Sequence, residues 1–107
     1  MDNLEFKSMM VNISDEKLEK ILALFHVLRN KTRFKILCLL LEKERNVTEL
    51  ERETGGSQSA ISHQLALLKK MKLVKDRQEK RMRYYSIYDN HVTSIIDAAI
   101  SHISEDC

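Results

Sequence analysis

With 107 residues the chain has room for one domain whose own core is limited, so further burial by self-association is expected. Hydrophobic residues at 43% and charged residues at 32% exclude a disordered chain. The longest unbroken apolar run, Ile36 to Leu41, is far short of the roughly 18 residues a bilayer span needs, so no membrane segment is expected. Net charge is only +2, but Lys69 to Arg83 carries eight Lys or Arg residues against Asp76 and Glu79, which makes that stretch +6 and the remainder −4.

Met1 to Ile13 reads as an N-terminal tail without the basic start and apolar middle of a secretory signal, and residues 14–107 read as a single domain in a cytoplasmic protein. Ser14 then looks like an N-cap followed by acidic Asp15 and Glu16, and Leu18, Ile21, Leu22, Phe25 and Leu28 recur at helical spacing. Asn30 can cap a second helix, with Phe34, Leu37, Cys38 and Leu41 along a wide apolar face. Cys38 there reads as a small buried hydrophobe. The other cysteine is Cys107, and with no close pair between them neither a disulfide framework nor a cysteine-rich zinc site is expected.

Val47 to Glu53 fits a short third helix, Gly55-Gly56 a turn, and Ser57 the cap of a fourth helix to about Lys70, with Ala60, Ile61, Leu65, Leu67 and Leu68 facing inward. Leu73 to Lys75 and Met82 to Ile87 read as two strands separated by a polar loop, Asp76 to Arg81. Tyr84 and Tyr85 then point to opposite faces of the second strand. A last helix runs from near Asp89 to about Ser104. The expected fold class is mainly α (α+β), a winged helix-turn-helix of five helices with a two-stranded β-hairpin wing.

On the fourth helix, Ser57, Gln58, Ser59, Ser62 and His63 put small, amide and imidazole groups on the outer face at the helix start. Such groups can approach base edges in a major groove while the helix N-terminus meets a phosphate. Lys69, Lys70, Arg77, Lys80 and Arg81 in the basic stretch suit phosphate neutralisation. An ordinary solvated face explains a lysine-rich run alone. The adjoining helix-turn-helix and wing favour double-stranded DNA as the partner.

The run from Ser57 to Leu65, followed by Leu68, Leu73-Val74 and the Tyr84-Tyr85 strand, resembles the recognition helix and wing of the ArsR/SmtB family of metal-sensing repressors. The similarity extends from about residue 18 to the end of the chain. It implies a dimeric winged helix binding an inverted-repeat operator. Two positions depart from the family pattern: Gly56 where an apolar residue usually precedes the recognition helix, and Glu79 where the wing tip is often Gly.

The C-terminal segment carries Asp89, His91, His102 and Glu105, four metal-capable side chains. The step from His91 to His102 advances a helix three turns plus roughly 20°, so both rings share a stripe, yet they lie roughly 16 Å apart along the axis. One chain therefore cannot close a site whose ligands sit near 2 Å from Zn(II). Two copies of the helix packed antiparallel about a two-fold axis would bring the Asp89/His91 end of one to the His102/Glu105 end of the other, giving two sites per dimer. Val92, Ile96, Ala99 and Ile103 on a neighbouring stripe are the expected seam of that homodimer. Four nitrogen and oxygen ligands favour Zn(II), with Co(II) as a substitute. The spacing also matches the fifth-helix zinc site of SmtB-like sensors, whereas Arg45 to Leu50, where arsenic and cadmium sensors carry cysteines, contains none.

The expected function is a repressor released from its operator by Zn(II) and controlling zinc efflux or sequestration genes; the sign of that response comes from the resemblance alone. A zinc hydrolase would need an open metal position, and no small-molecule substrate is expected. A winged-helix repressor with a non-metal or redox trigger and a zinc-buffering or interaction protein are the other readings.

Overall fold

The computed structural model of the chain describes residues 12–105. Most of the expected tail, and Asp106 and Cys107, lie outside the described residues.

Side-chain caps start every one of the five helices that position the site. Helix α1 (Asp15–Leu28) begins where Ser14 Oγ accepts the Lys17 N–H at 3.1 Å, and α2 (Lys31–Glu42) where Asn30 Oδ1 accepts the Arg33 N–H at 3.0 Å. Helix α3 (Val47–Thr54) opens with a reciprocal capping box between Asn46 and Glu49 and stops at Gly55, whose φ of 78° is left-handed. Ser57 then caps α4 (Gln58–Lys70), and Asp89 caps α5 (Asn90–Ser104).

Between these lie β1 (Arg45–Asn46), β2 (Val74–Glu79) and β3 (Met82–Ile87), an antiparallel sheet in the order β1-β3-β2. The register runs from Val74 opposite Ile87 to Glu79 opposite Met82. Two expectations are corrected here. The wing loop is only Lys80-Arg81, because Asp76 to Glu79 pair into the ladder despite lacking apolar alternation; cross-strand polar bonds, such as those from Arg83 to Asp76 and Gln78, take its place. Strand β1 was not foreseen, since two polar residues carry no periodic signal, yet Arg45 and Asn46 pair with Tyr85 and Tyr84. The left-handed residue of the wing turn is Lys80, φ 57°, and Glu79 stays in the strand.

The core joins Ile36, Leu37 and Leu40 of α2, Leu50 of α3, Ile61, Leu65 and Leu68 of α4, Leu73 and Val74, and Val92 and Ile96 of α5. On α4 the inward row is i, i+4, i+7 from Ile61, which leaves Ala60 exposed rather than buried as expected. Tyr85 packs on the core. Tyr84 turns to the other face, under the Arg77 guanidinium at 4.9 Å from its ring centre. At Gly56 an added Cβ would stand 3.0 Å from Ile61 Cδ1, so Ile61 already fills the space that an apolar residue there would take.

Helix α1 buries only Val27, and Leu18, Leu22 and Phe25 are exposed, Phe25 by 59%. On α5 the expected seam divides. Val92 and Ile96 anchor the helix to its own core, and Ile95, Ala99, Ile100 and Ile103 remain outward, Ile103 exposed by 77%.

Leu65→Ala is expected to cost about 2–5 kcal/mol in urea unfolding, as a fully buried leucine leaves a cavity. Gly55→Ala should cost about 1–2 kcal/mol, from the left-handed backbone alone, since nothing stands within 4 Å of the added methyl. Equal costs for the two variants would contradict this division between packing and backbone.

Candidate nucleic-acid interface and metal centre

Ser57 Oγ accepts the Ala60 N–H at 3.2 Å, which fixes the start of α4. Gln58, Ser59, Ser62 and His63 beyond it are all exposed on the face opposite Ile61, Leu65 and Leu68. The expected base-reading side chains are thus on one accessible surface at the N-terminal end of α4, where backbone N–H groups point outward.

The expected phosphate-binding residues separate into two groups. Lys70, Lys80 and Arg81 are exposed, the last two at the tip of the hairpin. Arg77 and Lys69 are engaged within the protein. Arg77 donates Nε and Nη2 to the two carboxylate oxygens of Glu44 at 2.9 and 2.6 Å and Nη1 to Glu79 at 2.8 Å, which clasps the wing to the corner after α2. The Glu44 carboxyl is held below the ordinary range by the Arg77 hydrogen bond, and Arg77 is raised in turn. The sequence alone offers Arg77 to phosphate because Glu44, 33 residues away, is brought to it only when β1 and β2 pair with β3.

Lys69 bonds to Asp76, which also receives Arg83. The Lys69 hydrogen bond, helped by that of Arg83 and opposed by partial covering, holds the Asp76 carboxyl below its usual range.

A second polar link escaped sequence reading. Arg33 donates Nε to the Val27 carbonyl at 2.9 Å and Nη1 to Gln64 Oε1 at 3.0 Å, joining the end of α1 to the middle of α4.

The four expected metal ligands form two pairs at opposite ends of α5. Asp89 Oδ1 accepts the His91 and Val92 N–H groups at 3.0 and 3.2 Å, while its Oδ2 lies 3.3 Å from His91 Nδ1. Covering of the Asp89 carboxyl opposes ionisation but is outweighed by the Val92 N–H and the His91 ring, so its pKa is lowered. One turn from the other end, His102 Nδ1 lies 3.8 Å from Glu105 Oε2. Both rings face outward, His91 exposed by 93% and His102 by 80%. Two donors of a tetrahedral Zn(II) site, each near 2.0 Å from the metal, stand about 3.3 Å apart. The Asp89/His91 pair already has that separation, and the exposed His102/Glu105 pair needs a small side-chain swing. Among the described residues of one chain, no three His, Cys, Asp or Glu side chains converge on a common point.

These features define a class: a winged helix-turn-helix regulator that binds DNA. The arsR family of bacterial regulatory proteins matches residues 30–76. The chain is 32% identical over 93 residues to the transcriptional repressor SmtB homolog of Synechocystis sp., covering 87% of this chain and 70% of the relative. To the transcriptional activator HlyU of Vibrio cholerae it is 36% identical over 78 residues, covering 73% and 72%. The solution structure of the homodimeric winged helix-turn-helix DNA-binding domain Mb0332 of Mycobacterium bovis, a possible ArsR-family regulator, superposes with a TM-score of 0.75 at 30% identity, covering 87% of this chain and 88% of that one. The chain belongs to the arsR family of transcriptional regulators.

Because the pKa of Asp76 is lowered on folding, its contribution to stability is complete above the unfolded Asp value of about 3.9 and is lost as pH falls through the lower folded value. Urea midpoints measured between pH 6 and pH 2 should therefore fall less steeply for Asp76→Asn than for the wild type. Parallel acid limbs would show that this cluster does not stabilise the wing.

Proposed function

We propose that the chain is a homodimeric transcriptional repressor whose hold on an inverted-repeat operator is released by Zn(II), and that it governs zinc efflux or sequestration genes in the cytoplasm. The observation that carries this reading is the pair of imidazole–carboxylate half-sites at opposite ends of one exposed helix, the first already spaced as a tetrahedral edge. The apolar groups exposed on α1 and α5 support self-association, as does the likeness to a homodimeric domain. Similarity to an SmtB homolog that is a transcriptional repressor supports repression as the mode of action.

In this reading Asp89 and His91 of one subunit would share a metal with His102 and Glu105 of the partner subunit, at two sites per dimer, and Co(II) would substitute for Zn(II). Zn(II) when bound supplies a four-coordinate cross-link between subunits. Asp89 keeps one oxygen on the α5 cap and offers the other outward, so the ligand and the start of the helix move together. Fixing both α5 helices sets the distance between the two α4 helices, which must match successive major grooves about 34 Å apart. Gln58, Ser59, Ser62 and His63 read bases there, with Ser57 at the backbone, while Lys70, Lys80 and Arg81 neutralise phosphates and Lys69 and Arg77 hold the wing.

The similarity to HlyU favours a second reading, an arsR-family regulator with a trigger other than metal. Cys38 offers such a trigger little, since burial pushes its thiol up and away from the reactive thiolate.

An electrophoretic mobility shift on a duplex from the chain's own promoter separates the two. The account expects binding by the metal-free protein, weakened about 5- to 150-fold by Zn(II), and His102→Ala should bind without responding. Binding indifferent to Zn(II) would leave the second reading. On the same duplex, Lys80→Ala and Arg81→Ala should each reduce the slope of log K against log salt by about 0.9, one phosphate contact apiece. Arg77→Lys, which keeps the charge but loses the fork to Glu44, should weaken binding without changing that slope.

A further inference from the structure

Helix α1 sends one buried side chain, Val27, into the core, with Leu24 and Leu28 partly buried against it. Along the rest of its inner side a cleft of about 750 Å³ separates Lys17, Ile21 and Leu24 from Met71, Leu73 and Ile95. The recognition helix α4, for its part, rests on Ile61, Leu65 and Leu68, with Leu67 and Met71 packed beside them at its C-terminal end, so that its N-terminal half is seated by the single row of Ile61 and Leu65 and has the least to oppose rolling about the helix axis. What spans from one helix to the other is the Arg33 guanidinium, on the Val27 carbonyl and on Gln64 Oε1. Its own place is fixed, because the Arg33 N–H is held by the Asn30 cap at the first turn of α2. The bond to Gln64 is directional and charge-assisted, and it is half-buried, so water competes for it less than at a free surface.

We propose that Arg33 is a positioning residue for operator recognition: through Gln64 it braces α4 against the C-terminal end of α1, and so sets which half-site spacing the dimer accepts. This rests on the reading of α1 and α5 as the dimer seam. If α1 moves with the seam, α4 must be tied to it for the two recognition helices to keep a defined separation. One added base pair moves a half-site by about 3.4 Å and turns it by about 35°, a change that a braced α4 rejects and a rolling one tolerates. Gln64 acts here as the receiver of the brace, its amide oxygen accepting from the Arg33 guanidinium.

The test uses the full chain on a symmetric operator defined by footprinting its own promoter, and on the same duplex with one base pair inserted between half-sites. Gln64→Met keeps the shape and removes the acceptor, Gln64→Glu keeps the acceptor, and Arg33→Met removes the donor. Gln64→Met and Arg33→Met should each lose about five- to tenfold in the preference for native spacing, and the double variant no more than either single one. Gln64→Glu should retain the preference. Unchanged preference in Gln64→Met, or equal impairment in Gln64→Glu, would overturn the brace. Hydrogen exchange of the α4 amides, measured without DNA, should be faster in Gln64→Met and restored in Gln64→Glu; exchange like that of the wild type in both also overturns it. Failure of the wild type to bind any promoter duplex would sink the repressor reading alone, because the exchange arm decides the brace by itself. Should Arg33→Met not fold, the half-exposed Gln64 variants carry the test.

Discussion

An α-helix rises about 1.5 Å per residue, and that fixed pitch governs how α5 can work. Eleven residues separate His91 from His102, so the two imidazoles share a stripe and can never share an ion within one chain. Among the described residues each end of the helix holds an imidazole and a carboxylate, half of what a closed zinc site requires. The proposed site, split in this way, would report on the arrangement of two subunits, because its completion depends on how they meet.

The distribution of apolar surface follows the same division. Val92 and Ile96 hold α5 to the core of its own domain, while Ile95, Ile100 and Ile103, with Leu18, Leu22 and Phe25 of α1, are left outside. A domain of this length buries a modest fraction of its surface, and covering two such helices offsets that shortage. The proposed DNA-facing side is built separately, from the exposed start of α4 and the wing, and polar links connect the parts: Arg33 from α1 to α4, and Arg77 from the wing to the corner after α2. Each link is a surface or half-buried hydrogen bond of modest strength, which suits orienting an element better than stabilising the fold.

Much of the architecture was legible in the sequence because it is written in local signals. Ser14, Asn30 and Ser57 all cap the helices expected of them, the last helix starts at Asp89 as its position in the sequence implies, and Gly55 takes the left-handed turn. The expectations that needed correction depend on distant parts of the chain. Strand β1 exists because β3 pairs with it, and β2 continues through Asp76 to Glu79 because charges on β3 meet them. Arg77 could not be known to be clasped without Glu44 beside it, nor Arg33 to be a brace without Gln64. On α5 the helical wheel identified a stripe but not which flank the domain itself would cover; Val92 and Ile96 turned inward, and Ile95, Ile100 and Ile103 are the large apolar side chains left exposed.

The sharing of ligands between subunits can be tested by complementation. His91→Ala and His102→Ala are purified separately, then unfolded, mixed and refolded, and metal is followed by Co(II) absorption and by equilibrium dialysis with Zn(II). Each variant alone should bind at neither site, whereas every mixed dimer should regain one site, formed from the intact Asp89/His91 end of one subunit and the intact His102/Glu105 end of the other. No recovery on mixing, with mixed dimers present, would contradict the account, as would either variant retaining tight binding by itself.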